Sequence, residues 1–523
     1  DDAFGNPTKW SARLFSDVFL WINKGNAVYS IYDAEGYPPL ETFESLEDAM
    51  AWADELAADG RDIENSIPDE TTPDTEEKQE ESKAAPDKSA ASNFQISDDH
   101  LGEGSPKEKF RRNLAAIVLL NRIESENRYA TAEEQQVLSQ YIGWGGLADA
   151  FDESKPNWSE EYQQLKAALS PDEYRMARES TLNAHYTSPV IIRQIYSALE
   201  RMGFSKGNVL EPAMGVGNFL GMMPDSMKES NLYGVELDSI SGRIAKQLYP
   251  HANIQICGFE KTTYPDNFFD LAIGNVPFGQ YKVVDKKYDR NKFLIHDYFF
   301  AKTLDKVRPG GIVAFITSKG TLDKSNPEVR KYLAQRAELL GAVRLPNKAF
   351  KSNAGTEVTS DILFLKKRDH MIVSDPDWVY LGKDGSDITM NNYFVEHPEQ
   401  IVGKMEMVSG PYGMESTCTA DDSQPFEEQL QESLQNINGE FDAIDPEEIL
   451  TEDLEELLSA DPNVKNYSFT VVGKEIYYRE NSVMRPVDVS ATAKERIKGM
   501  IGIRDCTRAL INLQLTLNKS RKN

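Results

Sequence analysis

The sequence predicts an α/β fold, a mostly parallel sheet covered by helices on both faces, and three observations support this. Between residues 208 and 367, short apolar runs with strand character alternate with helical stretches. The first run leads into a turn with Gly215 and Gly217, as expected where a strand passes into a helix. The second run ends in a carboxylate, Glu236, about twenty residues later. A parallel sheet brings such strand ends to one edge.

A chain of 523 residues is too long for one ordinary domain, so we expect several segments. These are a small β-β-α module at 1–61, an acidic disordered linker at 62–106, a helical region at 107–180, the α/β domain at 181–369 and an acidic C-terminal region at 370–523. The linker prediction rests on a composition of Asp, Glu, Ser, Pro and Thr with almost no aromatic residues.

Local patterns predict elements within the flanking segments. The module should hold strands at 19–22 and 27–32 and a helix at 45–58, and the C-terminal region a hairpin at 467–479 and a final helix at 491–517. In the helical region we expect helices at 110–120 and 131–141, with Thr131 capping the second over Glu134. The glycines of the turn 143–146 would allow a close approach to a partner, but we expect a plain helix-ending turn.

Charge is unevenly distributed along the chain. The net charge of -28 argues at first against a nucleic-acid partner. The acidity lies mostly in residues 61–103, with 13 acidic and 4 basic residues, and in residues 401–462, with 17 and 1. Residues 183–368 instead carry 26 basic and 18 acidic residues, a balance that suits a polyanion such as DNA.

Several classes of protein are disfavoured by the sequence. The three cysteines, Cys257, Cys418 and Cys506, are too far apart in the chain to suggest a disulfide framework or a metal site, and a reducing cytoplasm fits them best. No apolar run approaches the ~20 residues of a membrane span, and no secretory signal opens the chain. Because the chain begins at Asp1 without Met, we expect it to be part of a larger protein.

The turn after the first strand of the α/β domain, the turn with Gly215 and Gly217, has the residue types needed to bind a nucleoside with an amino-acid tail. Its glycines would let the backbone pass close beneath such a ligand. Dinucleotide-binding turns share this geometry but usually have glycine directly after the strand, where this chain has Glu211. This difference favours S-adenosylmethionine; a tight turn without a ligand is the alternative. The residues expected to contact the cofactor here are Glu211, Pro212, Gly215, Gly217, Asn218 and Phe219.

Two later strand ends extend the expected cofactor site. Glu236 suits hydrogen bonds to both ribose hydroxyls. Phe259 would lie against the adenine, with Glu260 near the adenine amine. The alternative for Phe259 is a role as a core aromatic residue.

The residues Asn275-Val276-Pro277-Phe278 follow a strand at 269–274 and resemble the amino-methyltransferase signature of Asn-Pro-Pro and an aromatic residue. A ring-conjugated amine is a poor nucleophile, and the Asn275 carboxamide oxygen and the Val276 carbonyl can accept its two N–H bonds and hold it for attack. Pro277 stiffens the turn, and Phe278 offers a face to a flipped base. Val276 replaces the usual Pro but keeps its carbonyl, so we expect activity. An ordinary turn after a strand is the alternative.

Further segments extend the resemblance. Residues 184–189 resemble the Tyr-Thr-Pro element that covers the methionine end of the cofactor, which implies that Tyr186 and Thr187 bind it. Residues 308–316 resemble the turn and strand after the catalytic segment. Residues 340–345 with 359–367 resemble the closing hairpin of type I restriction modification subunits. The order of the segments resembles the gamma class of N6-adenine DNA methyltransferases.

This resemblance covers about a third of the chain and implies a Rossmann-like, seven-stranded methyltransferase sheet with an antiparallel closing hairpin. The flanks, including Trp144 and its glycines, resemble the methylase part of large helicase–methylase proteins of bacterial conjugative elements and phages. That similarity implies a helicase domain or subunit as a partner. Neither a metal nor a membrane is implied.

A basic loop follows the tetrapeptide and is expected at the lip of the active site. Such a loop could hold phosphates beside a flipped adenine, with contacts that weaken as salt rises. A solvated loop without a ligand is the alternative. The candidate nucleic-acid-binding residues are Lys282, Lys286, Lys287, Arg290 and Lys292.

The leading hypothesis is a DNA methyltransferase that acts on the N6 amine of adenine. A second hypothesis keeps the mechanism but makes RNA or a protein glutamine the acceptor. A third makes the chain a degenerate methylase that serves a helicase partner as a DNA-binding or anti-restriction module, and its support in the sequence is Val276.

Overall fold

The structure is a computed structural model that describes residues 9–15, 18–24, 29–32, 41–43, 88, 91–181, 187–350, 358–410, 413–442, 458–487 and 489–521. The chain divides into two compact units, residues 1–82 with 491–523 and residues 83–490. The helix expected at 45–58 and most of the linker expected at 62–106 lie outside the described residues. The boundaries of the five expected segments stay predictions.

The first unit contains a four-stranded antiparallel sheet in the order β1-β2-β3-β4. Its strands are β1 (Lys9–Phe15), β2 (Val18–Lys24), β3 (Tyr29–Tyr32) and β4 (Glu41–Phe43). The strands predicted at 19–22 and 27–32 correspond to β2 and β3. Sequence patterns missed β1, in which polar residues interrupt the apolar run, and β4, which is only three residues long. The predicted C-terminal helix spans Ala491–Arg521.

The second unit begins with a helical layer. Its helices are α1 (Pro106–Ser125), α2 (Ala132–Ser139), α3 (Ser159–Ala168) and α4 (Pro171–Ser180). Each of α1, α2 and α4 starts with a capping box, and the predicted cap of α2 is confirmed, since Thr131 Oγ1 accepts from the Glu134 N–H. Trp144 lies in the core of this layer, 1% exposed.

The end of the segment that was expected to be a disordered linker packs against the rest of the second unit. The Phe94 N–H donates to the Leu248 carbonyl, and the Ile96 N–H donates to the Gly221 carbonyl. Ile96 is buried because it packs among the apolar residues that cover one face of the central sheet of this unit. These two apolar residues within a polar stretch explain why composition alone did not reveal the contact.

A seven-stranded sheet forms the centre of the second unit. Its strands are β5 (Asn208–Glu211), β6 (Asn231–Glu236), β7 (Asn253–Ile256), β8 (Phe269–Asn275), β9 (Val307–Ser318), β10 (Ala337–Leu345) and β11 (Ser360–Lys367). The accompanying helices are α5 (Pro189–Arg201), α6 (Asn218–Gly221), α7 (Ser239–Leu248), α8 (Ile295–Lys306), α9 (Gly320–Asp323) and α10 (Glu328–Arg336).

The strand order of this sheet is β10-β11-β9-β8-β5-β6-β7. Five neighbouring strands are parallel to one another: β9, β8, β5, β6 and β7. Strand β11 is antiparallel to both of its neighbours, β10 and β9. The predicted Rossmann-like methyltransferase sheet with an antiparallel closing hairpin is therefore confirmed.

Apolar side chains cover both faces of the sheet. Phe299, Phe300 and Leu304 of α8 pack on one face, and Ile191 and Ile195 of α5 pack on the other. Helix α8 is buried along almost its whole length, which explains why its sequence shows little amphipathic alternation. Across the described segments, no helix combines the length and apolar character needed to cross a membrane.

The remainder of the second unit contains short elements that pack around the sheet. These are β12 (Leu381–Lys383), β13 (Thr389–Asn391), α11 (Asn392–Glu396), β14 (Lys404–Gly410), β15 (Gly413–Thr419), α12 (Phe426–Gln435), β16 (Leu458–Ser459), β17 (Ser468–Val472), β18 (Glu475–Glu480) and β19 (Val483–Pro486). The predicted hairpin at 467–479 is confirmed as β17 and β18.

Candidate active site

A cavity of about 950 Å³ opens at the carboxyl ends of the parallel strands. Parallel pairing places the ends of β5, β6, β7 and β8 along one edge, and ligands of open α/β sheets bind at such an edge. The structure brings most of the predicted cofactor and catalytic residues to this cavity. Those that line it are Thr187, Glu211, Pro212, Gly215, Asn218, Phe219, Glu236, Phe259, Glu260, Asn275, Val276 and Pro277.

Three of the predicted residues are not among those that line the cavity. Tyr186 lies outside the described residues. Gly217 packs against the Tyr249 ring. A Cβ at this position would come within 2.5 Å of that ring, so only glycine fits. Phe278 is half-buried, and its side chain does not contribute to the cavity wall.

The glycine turn between β5 and α6 is tied to the end of β6. Gly215 and Gly217 both have left-handed φ values, 55° and 86°, which side chains rarely tolerate. The Gly215 N–H donates to Glu236 Oε2 at 2.7 Å, and the Asp238 N–H donates to Glu236 Oε1 at 2.7 Å. One carboxylate thus holds the turn against the second strand.

The Glu236 carboxyl group lies half-buried at the cavity wall. Burial raises its pKa from the usual 4.5 to about 7, although the backbone N–H of Asp238 partly stabilises the ionised form. The folded chain keeps this proton between about pH 4.5 and 7, where the unfolded chain has released it. Glu236 therefore disfavours the folded state increasingly as the pH rises through that window.

Two buried polar groups in the cavity wall have acceptor oxygens without hydrogen-bond donors among the described residues. They are Glu211 Oε2 and Asn218 Oδ1, in side chains that are 2% and 8% exposed. Burial raises the pKa of Glu211 well above its usual value, and a cation bound beside it would lower that pKa and favour the accepting carboxylate. Unsatisfied buried acceptors are costly unless a ligand supplies donors. The ammonium and ribose hydroxyls of S-adenosylmethionine are such donors, so the residues present fit this cofactor.

Phe259 is a core aromatic residue whose ring also reaches the cavity, and its contact with an adenine stays a prediction. Its ring packs 5.1 Å from Phe299 and lies 5.0 Å from Lys302 Nζ, so it is held firmly in the core. The same ring lines the cavity. The neighbouring Glu260 carboxylate folds back over Gly258, where a Cβ would overlap with it.

The residue before the tetrapeptide, Gly274, lies close to the end of β5. A Cβ on Gly274, whose φ is 150°, would lie 3.4 Å from Glu211 Cγ, so β8 passes close to the end of β5. Asn275 ends β8, and its amide nitrogen donates to Thr187 Oγ1 at 3.3 Å. The Val276 N–H donates to the Ile316 carbonyl at 3.1 Å. The turn is thereby fixed to β9 on one side and to residue 187 on the other.

The basic loop reaches the cavity only through its first residues, Val283 and Val284. Asp285 fixes the loop to α8, because its carboxylate accepts from the Tyr298 hydroxyl at 2.8 Å and from Lys302 Nζ at 3.3 Å. The Lys287 side chain reaches the C-terminal end of α8, where its Nζ lies 2.7 Å from Asp305 Oδ2. The other four predicted nucleic-acid-binding residues are exposed: Lys282, Lys286, Arg290 and Lys292.

The helical layer also contributes to the cavity, which the sequence did not predict. The residues from this layer that line it are Tyr141, Gly143, Met176, Glu179 and Ser180. Asn113, fully buried, accepts from the Ile142 N–H at 3.0 Å and donates to the Gly143 carbonyl at 2.5 Å. Gly143, the first residue of the turn at 143–146, therefore borders the cavity, whereas the sequence led us to expect a plain helix-ending turn.

Among the described residues, no three His, Cys, Asp or Glu side chains are grouped as metal ligands.

One family model and one curated protein match parts of this chain. Residues 173–381 match the family model described as N-6 DNA Methylase. The "Defense against restriction protein B" of Escherichia phage P1 is 30% identical over 273 residues, which are 51% of this chain and 10% of that protein. The chain thus spans about a tenth of the length of this curated relative.

Two solved structures are similar to parts of the chain. One is a putative class I S-adenosylmethionine-dependent methyltransferase from Listeria monocytogenes, 18% identical, with a TM-score of 0.33, covering 52% of this chain and 90% of that one. The other is a modification subunit of a putative type I restriction enzyme from Vibrio vulnificus YJ016, 17% identical, with a TM-score of 0.31, covering 56% and 68%.

The family match and the sheet topology agree on a methyltransferase, and they imply S-adenosylmethionine as its methyl donor. The matched residues include the whole cavity edge of the sheet from Thr187 to Ile295. Residues 173–381 of this chain are therefore similar to the N-6 DNA methylase family.

Proposed function

We propose that this chain transfers a methyl group from S-adenosylmethionine to the N6 amine of an adenine flipped out of DNA. The observation that carries the proposal is the single cavity shared by the glycine turn of β5 and the Asn275-Val276-Pro277 segment of β8. A donor and an acceptor amine bound there would be neighbours, so that transfer becomes effectively intramolecular.

Each end of the cofactor has candidate partners in the cavity wall. Glu236 would accept from the ribose hydroxyls, and Phe259 and Glu260 would hold the adenine. Glu211 and Asn218 have buried oxygens suited to the donors that the cofactor brings. When bound, the cofactor supplies an electrophilic methyl group on a positively charged sulfur.

Asn275 and Val276 are suited to bind the acceptor amine. The Asn275 carboxamide oxygen and the Val276 carbonyl would accept its two N–H bonds, which localises the lone pair on nitrogen toward the methyl donor. A proline in place of Val276 would lack the N–H that donates to Ile316. That hydrogen bond supplies rigidity that the signature obtains from proline, and this supports an active enzyme.

DNA is the acceptor that the charge distribution supports best. Residues 183–368 carry an excess of basic residues, and the family description refers to DNA. The exposed side chains of Lys282 and Lys286 follow the tetrapeptide closely enough to contact phosphates beside a flipped base. A helicase partner and a cytoplasmic location stay predictions of the sequence.

Replacing Asn275 by Ala should lower the rate of transfer at least about 100-fold, because one acceptor of the amine is removed. The test is mass spectrometry of nucleosides from a plasmid co-expressed with each variant, with S-adenosylmethionine binding measured by calorimetry. We expect N6-methyladenine with the wild type and with the exposed control Asn463→Ala, and nearly unchanged cofactor binding by Asn275→Ala. Methylated RNA or protein with unmodified plasmid would contradict the proposal.

Cofactor affinity should depend on pH through Glu236. Its pKa of about 7 means that the ionised carboxylate, the better acceptor for two hydroxyls, predominates at pH 8 but not at pH 6. We expect the dissociation constant for S-adenosylmethionine to rise about tenfold from pH 8 to pH 6. Glu236→Gln should bind weakly at both values. An equally steep pH dependence in that variant would exclude Glu236 as the responsible group.

DNA affinity should depend on Lys282 and Lys286 more than on Lys287. Replacing a lysine that binds one phosphate should reduce the slope of log K against log salt by about 0.9. Lys287→Ala is the matched control, because its ammonium is already paired with Asp305. Anisotropy titrations of a labelled duplex over a range of NaCl concentrations measure these slopes. A larger change for Lys287→Ala than for the other two would show that the loop binds DNA differently.

A second role is favoured by the relative from phage P1, whose name refers to defence against restriction. We propose that methylation by this chain protects DNA from restriction enzymes. Plasmid prepared with the wild-type protein should transform a restricting host more efficiently than plasmid prepared with Asn275→Ala. Equal protection by both would instead support a DNA-binding module that acts without methyl transfer.

A further inference from the structure

A second, smaller pocket lies away from the cavity of the candidate active site. Its volume is about 330 Å³, at the lower end of the range for ligand sites, and its walls come from the basic loop and from helices α8 and α10. Ile295, the first residue of α8, lines the cavity, whereas Asp305, in the last turn of α8, lines the pocket. The rise of the helix between these two residues is about 15 Å, so the two sites are separate.

The pocket lies near the opposite edge of the central sheet. The Asn267 N–H donates to the Asp305 carbonyl at 3.0 Å, and Asn267 comes just before the start of β8. The pocket therefore borders the amino end of a strand whose carboxyl end, at Asn275, lines the cavity. It is not part of the proposed donor and acceptor site.

Positive charge predominates in the pocket. Three cationic side chains line it, Lys287, Arg290 and Arg336, against the carboxylate of Asp305. That carboxylate already has partners, since its Oδ2 accepts from the Tyr288 hydroxyl at 2.6 Å and lies 2.7 Å from Lys287 Nζ. The two arginines therefore remain as charges that Asp305 does not neutralise.

Arg336 is held in place by an aromatic ring. Its Cζ lies 3.6 Å from the centroid of the Tyr332 ring, and its Nη1 donates to the Tyr332 carbonyl at 3.1 Å. The Tyr332 ring in turn packs 5.1 Å from the ring of Phe293. A guanidinium group has several N–H donors, so these contacts fix its position and leave donors for a ligand.

The ends of the two helices explain only part of this charge. The C-terminal end of a helix favours a nearby cation, and Arg336 in the last turn of α10 meets that preference. Arg290 comes from the loop instead, and its exposed side chain has no hydrogen-bond or ion-pair partner among the described residues. Like charges in one pocket repel each other, and an anion bound between them removes that cost. The excess charge thus indicates an anionic ligand.

A phosphate group is the anion that fits these side chains best. At neutral pH a phosphate monoester carries nearly two negative charges, which matches the two arginines. The planar guanidinium fork can donate two parallel hydrogen bonds to a phosphate. The Asn291 side chain, also in the pocket wall, offers a further amide donor. The volume leaves room for the organic part of a phosphate ester.

We propose that this pocket is a second binding site of the protein, in which Arg290 and Arg336 bind the phosphate group of a phosphate ester. Two sources could supply that group, a free ligand of about the size of a nucleotide or the backbone of bound DNA. Phosphate binding there does not depend on methyl transfer. It gives Arg290 a role away from the lip of the active site, where the sequence predicted it to act.

Calorimetric titration of the protein with inorganic pyrophosphate at constant ionic strength tests the site. The wild type should bind, and Arg290→Ala and Arg336→Ala should each weaken binding at least about tenfold, since each loses charged hydrogen bonds. Arg336→Lys should lie between them and the wild type, because it keeps the charge but not the fork. Arg111→Ala is the matched control, since Arg111 is an exposed arginine of α1 outside the pocket, and it should bind as the wild type does.

Thermal unfolding without ligand shows whether each variant is folded, and pyrophosphate should raise the Tm of the wild type and of Arg111→Ala more than that of the pocket variants. A wild type that binds no pyrophosphate would overturn the inference. Equal affinities in Arg111→Ala and the pocket variants would overturn it too, because they would indicate general attraction to surface charge. If Arg336→Ala does not fold, Arg290→Ala decides the question, since its side chain is exposed.

Titration of a labelled DNA duplex at several NaCl concentrations identifies the source of the phosphate. A slope of log K against log salt that falls by about 0.9 in Arg336→Ala assigns the phosphate to the DNA backbone. An unchanged slope together with lost pyrophosphate binding assigns it to a free ligand. A changed slope with intact pyrophosphate binding would contradict a phosphate site in this pocket. Neither measurement requires methyl transfer, so failure of the proposed function and failure of this inference are distinguishable.

Discussion

The candidate site depends on the parallel pairing of β5 with β6 on one side and β8 on the other. This pairing brings Glu211, Glu236 and Asn275 to one edge of the sheet, although they are separated by up to 64 residues in the chain. The hydrogen bond from the Gly215 N–H to Glu236 fixes the glycine turn across the first pair. Gly274, whose φ of 150° favours glycine, lies beside Glu211 across the second. The cavity at the carboxyl ends of these strands follows from these constraints.

Features that depend on local sequence were predictable. The glycine turn, the carboxylates at strand ends and the tetrapeptide each have a pattern within about ten residues, and the closing hairpin follows from the resemblance of its two strands; the structure contains all of them. Features that depend on distant contacts were not. No local pattern indicates that Lys287 pairs with Asp305 or that Tyr141 reaches the cavity. The direction of Phe278 likewise depends on how the chain turns after Pro277, which a four-residue signature does not determine.

Val276 illustrates how a departure from a signature can be compensated by its surroundings. Proline restricts a turn through its ring, whereas valine keeps an N–H that can bond to a neighbouring strand. Here that N–H donates to Ile316 of β9, and the side chain is 1% exposed. The backbone carbonyl, which the proposed chemistry requires, is retained. The substitution that most favoured a degenerate methylase therefore has a structural explanation consistent with activity.

If transfer proceeds as proposed, one cavity holds the methyl donor with its transferable group facing Asn275. A crystal structure of the protein with S-adenosylmethionine would reveal this arrangement. We expect the ribose at Glu236, the amino-acid tail near Glu211 and the methyl group directed toward the Asn275 side chain. A cofactor bound elsewhere, or bound in this cavity with its methyl group turned away from Asn275, would contradict it.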